Sequence, residues 1–257
     1  MGRKGLIGSR LSHSYSKRIH EIITDYTYDL IELTPEQLGP FLAAREFDGL
    51  NVTMPYKRDV IPYLDGLDPM ARSIGAVNCI VNRGGRLTGY NTDAGGFEYM
   101  IVHNGIAIEG RKVLVLGNGG AAQAVLAVLR THHPAGIVIA KPRPSEATVT
   151  MEECYAHHTD AQVIVNTSPV GMYPNVDASP LDLTRFPACE AVLDIIYNPT
   201  ETKLLSQAKS LGMTAVNGVE MLVAQAFVAA ELFTGDSVDR SRIGEIVDLL
   251  EREIAQI

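Results

Sequence analysis

The sequence predicts an α/β fold built from two domains. Short apolar runs typical of buried strands alternate with amphipathic or alanine-rich stretches typical of helices, and this alternation indicates largely parallel sheets. A glycine-rich turn at residues 117–122 lies between one such strand and one such helix. The length of 257 residues favours two modest domains over one large domain.

The N-terminal part of the chain predicts an open α/β domain. We expect helices to begin at residues 14–16 and to span 35–44 and 95–104, with strands at 4–7, 28–33 and 48–53. Residues 75–78 lead into an apolar run that ends at Val81, and Gly84-Gly85 separates this run from residues 86–93. Two short strands around a glycine pair are typical of a β-hairpin.

Lys57 follows the predicted strand 48–53, which opens at Gly49 and is stopped by Pro55, a residue without an N–H for a sheet. Ligands bind beyond the carboxyl ends of strands in open α/β sheets, so an amine at this place is suited to proton transfer. The alternative is a solvated loop lysine. Asp93 is the candidate partner of Lys57, although it is equally suited to cap the helix that follows it.

Ser14 and Ser16 fall near the predicted N-terminus of the first helix, where Ile19, Ile22 and Ile23 share one face. Free backbone N–H groups and the helix dipole make such an end a natural site for a carboxylate. Simple N-capping by a serine is the alternative.

A dinucleotide-binding domain of the Rossmann type, with a doubly wound parallel sheet, is predicted for the second half. The apolar strand 112–116 runs into a G-x-G-x-x-A turn that begins at Gly117 and ends at Ala122, and an alanine-rich helix follows to about residue 130. Glycines in this context let the backbone approach a pyrophosphate at the helix N-terminus. A tight strand-to-helix turn without a ligand is the alternative.

The end of the next strand, at residues 137–140, favours NADP over NAD. NAD-binding folds usually place an acidic residue there, whereas the 2′-phosphate of NADP needs positive charge. This chain has Lys141 and Arg143, and its first acidic residue is Glu146. Ordinary loop cations are the alternative explanation.

The remaining elements complete the second domain and the C-terminus. Strands at 163–165 and 192–196 end in turn residues that we expect to face the same crevice as the glycine turn. We further expect a strand at 214–216 and helices at 203–211, 218–233 and 242–254.

Composition excludes several classes of partner. A net charge of −8 argues against a nucleic-acid or anionic-membrane surface, and no stretch is long and apolar enough for a signal peptide or a membrane span. We therefore expect a cytoplasmic protein with a small-molecule substrate. The cysteines Cys79, Cys154 and Cys189 are scattered and lack the spacing of metal ligands, which indicates reduced thiols. The histidine pairs His132-His133 and His157-His158 are adjacent in sequence and do not share a helix face, so no metal site is expected.

Several motifs together resemble the shikimate dehydrogenase family, whose members reduce 3-dehydroshikimate with NADPH. The motifs are Asn51-Val52-Thr53-Met54-Pro55-Tyr56-Lys57, Gly75-Ala76-Val77-Asn78, Gly89-Tyr90-Asn91-Thr92-Asp93, Ser12-His13-Ser14-Tyr15-Ser16, the glycine turn, and Gly218-Val219-Glu220-Met221-Leu222-Val223-Ala224-Gln225. They occur in the family's order along nearly the whole chain, which is far more specific than any single motif.

The resemblance implies a domain division and a set of roles. C-terminal helices would pack back on the N-terminal domain, giving a substrate-binding domain of residues 1–98 and 220–257 and an NADP-binding domain of residues 99–219. Lys57 and Asp93 would be catalytic. Ser14, Ser16 and Tyr197 would hold the substrate carboxylate, and Thr53, Asn78 and Gln225 its hydroxyls. The cofactor would contact Gly117, Asn118, Gly119, Gly120, Ala121, Lys141, Arg143, Thr167 and Gly218.

Alternatives remain open within and beyond this resemblance. The chain has Ala140-Lys141-Pro142 where the family commonly has Asn-Arg-Thr, which leaves tolerance of NAD open. Quinate or an aminoshikimate-type substrate, a non-catalytic NADP-binding sensor, and a monomer or a homodimer are also compatible with the motifs. A methylenetetrahydrofolate dehydrogenase is disfavoured by the serine and Gln225 motifs.

Overall fold

The computed structural model describes residues 2–12, 14–143 and 145–256 and has an α/β fold. The chain forms two compact units, the first comprising Met1–Gly96 and Leu222–Ile243 and the second comprising Phe97–Met221 and Gly244–Ile257. Among the described residues, no helix is both long and apolar enough to cross a bilayer.

The first unit contains a mixed sheet. The elements are β1 (Lys4–Gly8), α1 (Ser16–Ile23), β2 (Asp29–Glu32), α2 (Pro35–Ala44), β3 (Gly49–Val52), a 3₁₀ turn (Ile61–Tyr63), β4 (Gly66–Leu67), α3 (Pro69–Ile74), β5 (Cys79–Arg83) and β6 (Arg86–Tyr90). The strand order is β2-β1-β3-β5-β6-β4, with β1 parallel to β2 and β3, and with β5 antiparallel to β3 and β6.

The predicted hairpin is confirmed between β5 and β6. Gly84 and Gly85 join the strands with φ angles of 59° and 85°. A two-residue hairpin turn with positive φ at both positions matches the twist of its strands, and glycine adopts it without steric cost. The hairpin therefore sets the register that leads from Cys79 to the segment after Tyr90.

The second unit contains a parallel sheet whose strands lie in the order β11 (Thr214–Val216), β10 (Ala191–Asp194), β9 (Val163–Asn166), β7 (Lys112–Leu116) and β8 (Gly136–Ala140). Its central strands are apolar runs buried on both faces, as a parallel sheet covered by helices requires, and two of them end in the buried polar residues Asn166 and Asp194. The elements are β7 (Lys112–Leu116), α5 (Gly120–Thr131), β8 (Gly136–Ala140), α6 (Met151–His157), β9 (Val163–Asn166), a 3₁₀ turn (Leu183–Arg185), β10 (Ala191–Asp194), α7 (Lys203–Ser210) and β11 (Thr214–Val216).

Two long helices contain two of the three divisions between the units, and the third division lies at the start of the last helix. The two long helices are α4 (Thr92–His103) and α8 (Val219–Thr234), and a 3₁₀ turn (Arg240–Arg242) then leads to α9 (Ile243–Ile254). The structure groups residues after 243 with the second unit, where Asn217 donates a 2.6 Å hydrogen bond to Glu251. The domain limits drawn from the sequence, 1–98 with 220–257 and 99–219, stay a prediction.

Helix α4 begins at Thr92, earlier than the expected start at residue 95. The reason is a cap from a distant part of the chain, because the Asn78 side-chain oxygen accepts the Thr92 backbone N–H at 2.6 Å. Free N–H groups at a helix start need such partners. A cap 14 residues away in sequence leaves no local signal.

Candidate active site

The backbone around Lys57 is held against the segment that precedes β5. Val52 N–H donates to the Asn78 carbonyl at 2.8 Å, and Thr53 N–H donates to the Ile7 carbonyl at 3.0 Å. The Lys57 carbonyl in turn accepts the Val77 N–H at 2.7 Å. The loop after β3 is therefore fixed at both ends.

Lys57 and Asp93 form an ion pair. The Lys57 Nζ donates to Asp93 Oδ2 at 2.6 Å, and the side chains are 20% and 14% exposed. Such partial burial strengthens a charge-assisted hydrogen bond relative to a surface pair. The explanation of Lys57 as a solvated loop lysine is therefore wrong.

Asp93 is not an N-cap, because it lies inside the first turn of α4. Its second oxygen, Oδ1, accepts the Asn78 side-chain N–H at 2.8 Å. Both oxygens of the carboxylate thus have a donor, and a negative charge in the first turn is also favoured by the helix dipole. The carboxylate is oriented with one oxygen toward the amine of Lys57.

Asn78, Thr92 and Gln225 extend this network. The Asn78 amide donates to Thr92 Oγ1 at 3.0 Å, and the Thr92 hydroxyl donates to Gln225 Oε1 at 3.1 Å. Gln225 is 8% exposed, and its Nε2 donates to the Leu222 carbonyl at 3.0 Å. Sequence reasoning missed Thr92, although it directly precedes Asp93 and therefore had to lie beside the pair.

Ser14, Ser16 and Thr53 lie in the same unit. Helix α1 begins at Ser16, whose N–H donates to the Ser14 hydroxyl at 3.2 Å, while the N-cap position is Tyr15 and carries no side-chain cap, so neither serine is the N-cap residue. Thr53 directly follows β3, and a Cβ at Gly8 would overlap its methyl group. Glycine at position 8 therefore leaves room for Thr53 at the carboxyl end of β1.

Comparisons with known proteins identify the family. Residues 6–80 match the model of the shikimate dehydrogenase substrate binding domain. The chain is 36% identical to a shikimate dehydrogenase (NADP(+)) of Clostridium beijerinckii, over 97% of this chain and 98% of the relative. The chain belongs to the shikimate dehydrogenase family. Its predicted resemblance to that family is thereby confirmed.

Solved structures of the shikimate dehydrogenase family agree with the whole fold. A chorismate mutase/shikimate 5-dehydrogenase fusion protein from Clostridium acetobutylicum is 34% identical, with a TM-score of 0.93 and 99% of each chain covered. A shikimate 5-dehydrogenase from Thermus thermophilus, crystallised with NADP(H) and shikimate, is 32% identical, with a TM-score of 0.86 and coverage of 96% of this chain and 99% of that chain. The predicted fold class is thus confirmed.

The glycine turn of this shikimate dehydrogenase family member fits a phosphate group. Gly117 has φ of 100°, and a Cβ there would lie 2.9 Å from Thr167 Oγ1. A Cβ at Gly119 or at Gly120 would meet no heavy atom within 4 Å, so the start of α5 adjoins open space. Gly119 caps α5 without a side-chain hydrogen bond, which leaves backbone N–H groups for an anion. Asn118 accepts the Gln123 amide at 2.6 Å and braces the turn.

A buried carboxyl group organises the loop that begins at Thr167. The Asp194 carboxyl group accepts hydrogen bonds from the Asn166 amide at 3.0 Å and the Thr202 hydroxyl at 2.8 Å, and it is fully buried. Burial raises the pKa of Asp194 to about 6, against the lowering effect of these hydrogen bonds. Thr167 Oγ1 donates to the Leu116 carbonyl at 2.8 Å. Sequence reasoning missed Asp194, whose only local signal is its place at a strand end.

The other predicted cofactor and substrate residues of the second unit lie at strand ends. Lys141 directly follows β8 and is half-buried, Arg143 comes two residues later and is exposed, and Tyr197 follows the end of β10 after two further residues. At Gly218 a Cβ would overlap the Ile195 carbonyl, which is a packing reason for glycine there. The ligand contacts of these residues, and of Ala121 in the first turn of α5, stay predictions.

Proposed function

We propose that this protein catalyses the reversible reduction of 3-dehydroshikimate to shikimate with NADPH. The observation on which the proposal rests is the partly buried Lys57–Asp93 pair, with Asn78 bound to the second carboxylate oxygen. It occurs in a chain that is 36% identical over 97% of its length to a shikimate dehydrogenase (NADP(+)). A binding module or sensor has no need of a proton donor, so the pair favours an enzyme.

The chemistry that NADPH supplies when bound is hydride donation to a carbonyl carbon. As negative charge develops on the substrate oxygen, the Lys57 ammonium donates a proton to it. Asp93 holds the amine in one orientation and stabilises its charge, while Asn78 prevents the carboxylate from rotating. In the reverse direction the Lys57 amine removes the hydroxyl proton.

Polar side chains of the first unit would bind the substrate. Ser14 and Ser16 at the start of α1 would hold the carboxylate, with the Tyr197 hydroxyl. Thr53, Asn78 and Gln225 would hydrogen-bond the ring hydroxyls. A pocket that pairs each hydroxyl discriminates against analogues that lack one, because its own polar groups would then lose their partners.

The second unit would bind the dinucleotide. The turn from Gly117 to Ala121, with Asn118, Gly119 and Gly120, would hold the pyrophosphate, and Thr167 and Gly218 would lie along the cofactor. Lys141 and Arg143 would attract the 2′-phosphate and favour NADP over NAD. The domains would be 1–98 with 220–257 and 99–219, in a cytoplasmic monomer or homodimer that binds neither nucleic acid nor membrane.

Initial rates with matched substrate and cofactor pairs test the proposal. The absorbance of the reduced cofactor is followed with shikimate or quinate as substrate and NADP or NAD as cofactor. We expect the highest kcat/KM with shikimate and NADP. A higher value with quinate would overturn the substrate assignment, and cofactor binding without turnover in all four pairs would support a sensor instead.

A further inference from the structure

A polar column, formed by the side chains of Tyr28, Asn51 and Asn78, crosses an otherwise apolar core and ends beside the Lys57–Asp93 pair. Asn51 on β3 is 5% exposed, and its side-chain oxygen accepts the Tyr28 hydroxyl at 2.7 Å. Its side-chain N–H donates to the Asn78 carbonyl at 3.3 Å. The surrounding core is formed by Leu6, Leu11, Val81, Ala229 and Phe233.

His20 supports Tyr28 from the far side. The two rings stack with centroids 4.2 Å apart and planes 8° from parallel, and both side chains are fully buried. His20 Nδ1 pairs with the Tyr26 hydroxyl at 2.6 Å, while His20 Nε2 makes no bond of hydrogen-bonding geometry among the described residues, although the ring lies close enough to the Asn51 side chain to interact with it. Burial lowers the pKa of His20 to about 3, so the ring is neutral in the working range of pH. The stack fixes the plane of the Tyr28 ring.

Buried polar groups cost stability unless every hydrogen bond is made, so apolar side chains would fill this core more easily. The polar column ends at Asn78, whose carbonyl accepts both the Val52 N–H at 2.8 Å and the Asn51 amide. The side chain of the same residue donates to Asp93 Oδ1 at 2.8 Å. Hydrogen bonds through Asn78 therefore link Tyr28 and Asn51 to the Asp93 carboxylate.

We propose that Tyr28 and Asn51 are positioning residues for the reaction proposed above, on which this inference rests. Tyr28 holds the Asn51 side chain in the orientation that presents its amide to Asn78. Asn51 then fixes Asn78, and Asn78 fixes the carboxylate that orients Lys57. Neither Tyr28 nor Asn51 needs to contact the substrate for this role.

Tyr28→Phe tests the inference, with Tyr26→Phe as its matched control. The first variant keeps the stack on His20 but removes the hydroxyl that orients Asn51. The second removes a hydroxyl from the other end of the same cluster, where it contacts His20 and not Asn51. Asn51→Ser, which withdraws the amide from the Asn78 carbonyl, is a second test if Tyr28→Phe does not fold.

Steady-state kinetics with 3-dehydroshikimate and NADPH provide the readout, together with thermal melts. We expect Tyr28→Phe and Asn51→Ser to lower kcat roughly tenfold, since small misplacements of catalytic groups are costly, with KM for the substrate changed less than about twofold. The solvent deuterium isotope effect on kcat should rise in both, because proton transfer from Lys57 slows. Tyr26→Phe should keep the wild-type values even where its melting temperature falls.

Two outcomes separate the inference from the proposed function. A wild-type protein that does not turn over 3-dehydroshikimate would overturn the proposed function and this inference with it. An active wild type, with equal kcat in Tyr28→Phe and Tyr26→Phe or with a change in KM alone, would overturn only the positioning role.

Discussion

Ionisation of Asp194 lowers the free energy of unfolding as pH rises, whereas most carboxyl groups in folded proteins have the opposite effect. Its pKa is raised to about 6 by burial, whereas its ordinary value is 3.8. The folded state therefore binds the proton more tightly than the unfolded state does. The stability contributed by this proton is fully present below pH 3.8 and is lost as pH rises through about 6.

The magnitude follows from the difference between the two pKa values. One pKa unit corresponds to about 1.4 kcal/mol, so ionised Asp194 lowers the free energy of unfolding by about 3 kcal/mol at pH 7 and by less than about 1 kcal/mol at pH 4. Asp194→Asn removes this titration. Its side-chain oxygen can still accept the Asn166 amide and the Ile196 N–H.

Urea unfolding followed by circular dichroism measures the effect. The free energy of unfolding of Asp194→Asn minus that of the wild type should rise by about 2 kcal/mol between pH 4 and pH 7. Asp182→Asn is a matched control in the same unit, because hydrogen bonds from Thr184 lower the pKa of exposed Asp182 and give a trend of opposite sign. A difference for Asp194→Asn that is flat across this range would refute the reasoning.

Three further predictions concern the second unit and the thiols. Gly218→Ala should lower the free energy of unfolding by about 2–3 kcal/mol, because its Cβ would overlap the Ile195 carbonyl; a melting temperature equal to that of Gly136→Ala, whose Cβ meets open space, would contradict this. Replacing Lys141 and Arg143 together with alanine should weaken NADP binding roughly tenfold to hundredfold in calorimetry and leave NAD binding unchanged; equal losses for both cofactors would argue against the phosphate role. Native protein should react only slowly with Ellman's reagent and reveal three thiols in urea, because burial raises the pKa of every cysteine, and rapid native labelling would contradict the burial of Cys79, Cys154 and Cys189.

Local sequence signals predicted most of the fold. The apolar run at β7, the glycines after it and the alanine-rich stretch that follows identified the strand, the turn and the helix, because the three occur together in the order of a dinucleotide-binding unit. Gly84-Gly85 likewise identified the hairpin. The short elements α3, α6 and β4 were missed, because six, seven and two residues are too few to show a period.

Long-range contacts explain what the sequence could not show in the site. Lys57 and Asp93 were singled out, yet a solvated lysine stayed an alternative and a capping aspartate fitted the sequence equally well until the 2.6 Å contact between the two side chains was known. Thr92 could have been found from its place beside Asp93, but its bond to Gln225, 133 residues away, could not, and neither could the bond of Asp194 to Asn166, 28 residues away. Side-chain pairs over such separations leave no local pattern.

The kcat of Lys57→Ala for NADPH-dependent reduction of 3-dehydroshikimate tests the central claim most directly. Loss of the proton donor should lower kcat by roughly 10² to 10⁴ while the fold is kept. Lys17→Ala, which removes an exposed lysine of the same unit paired with Glu21, should keep the wild-type kcat. A folded Lys57→Ala protein with near-normal kcat would contradict the assignment of Lys57 as the proton donor.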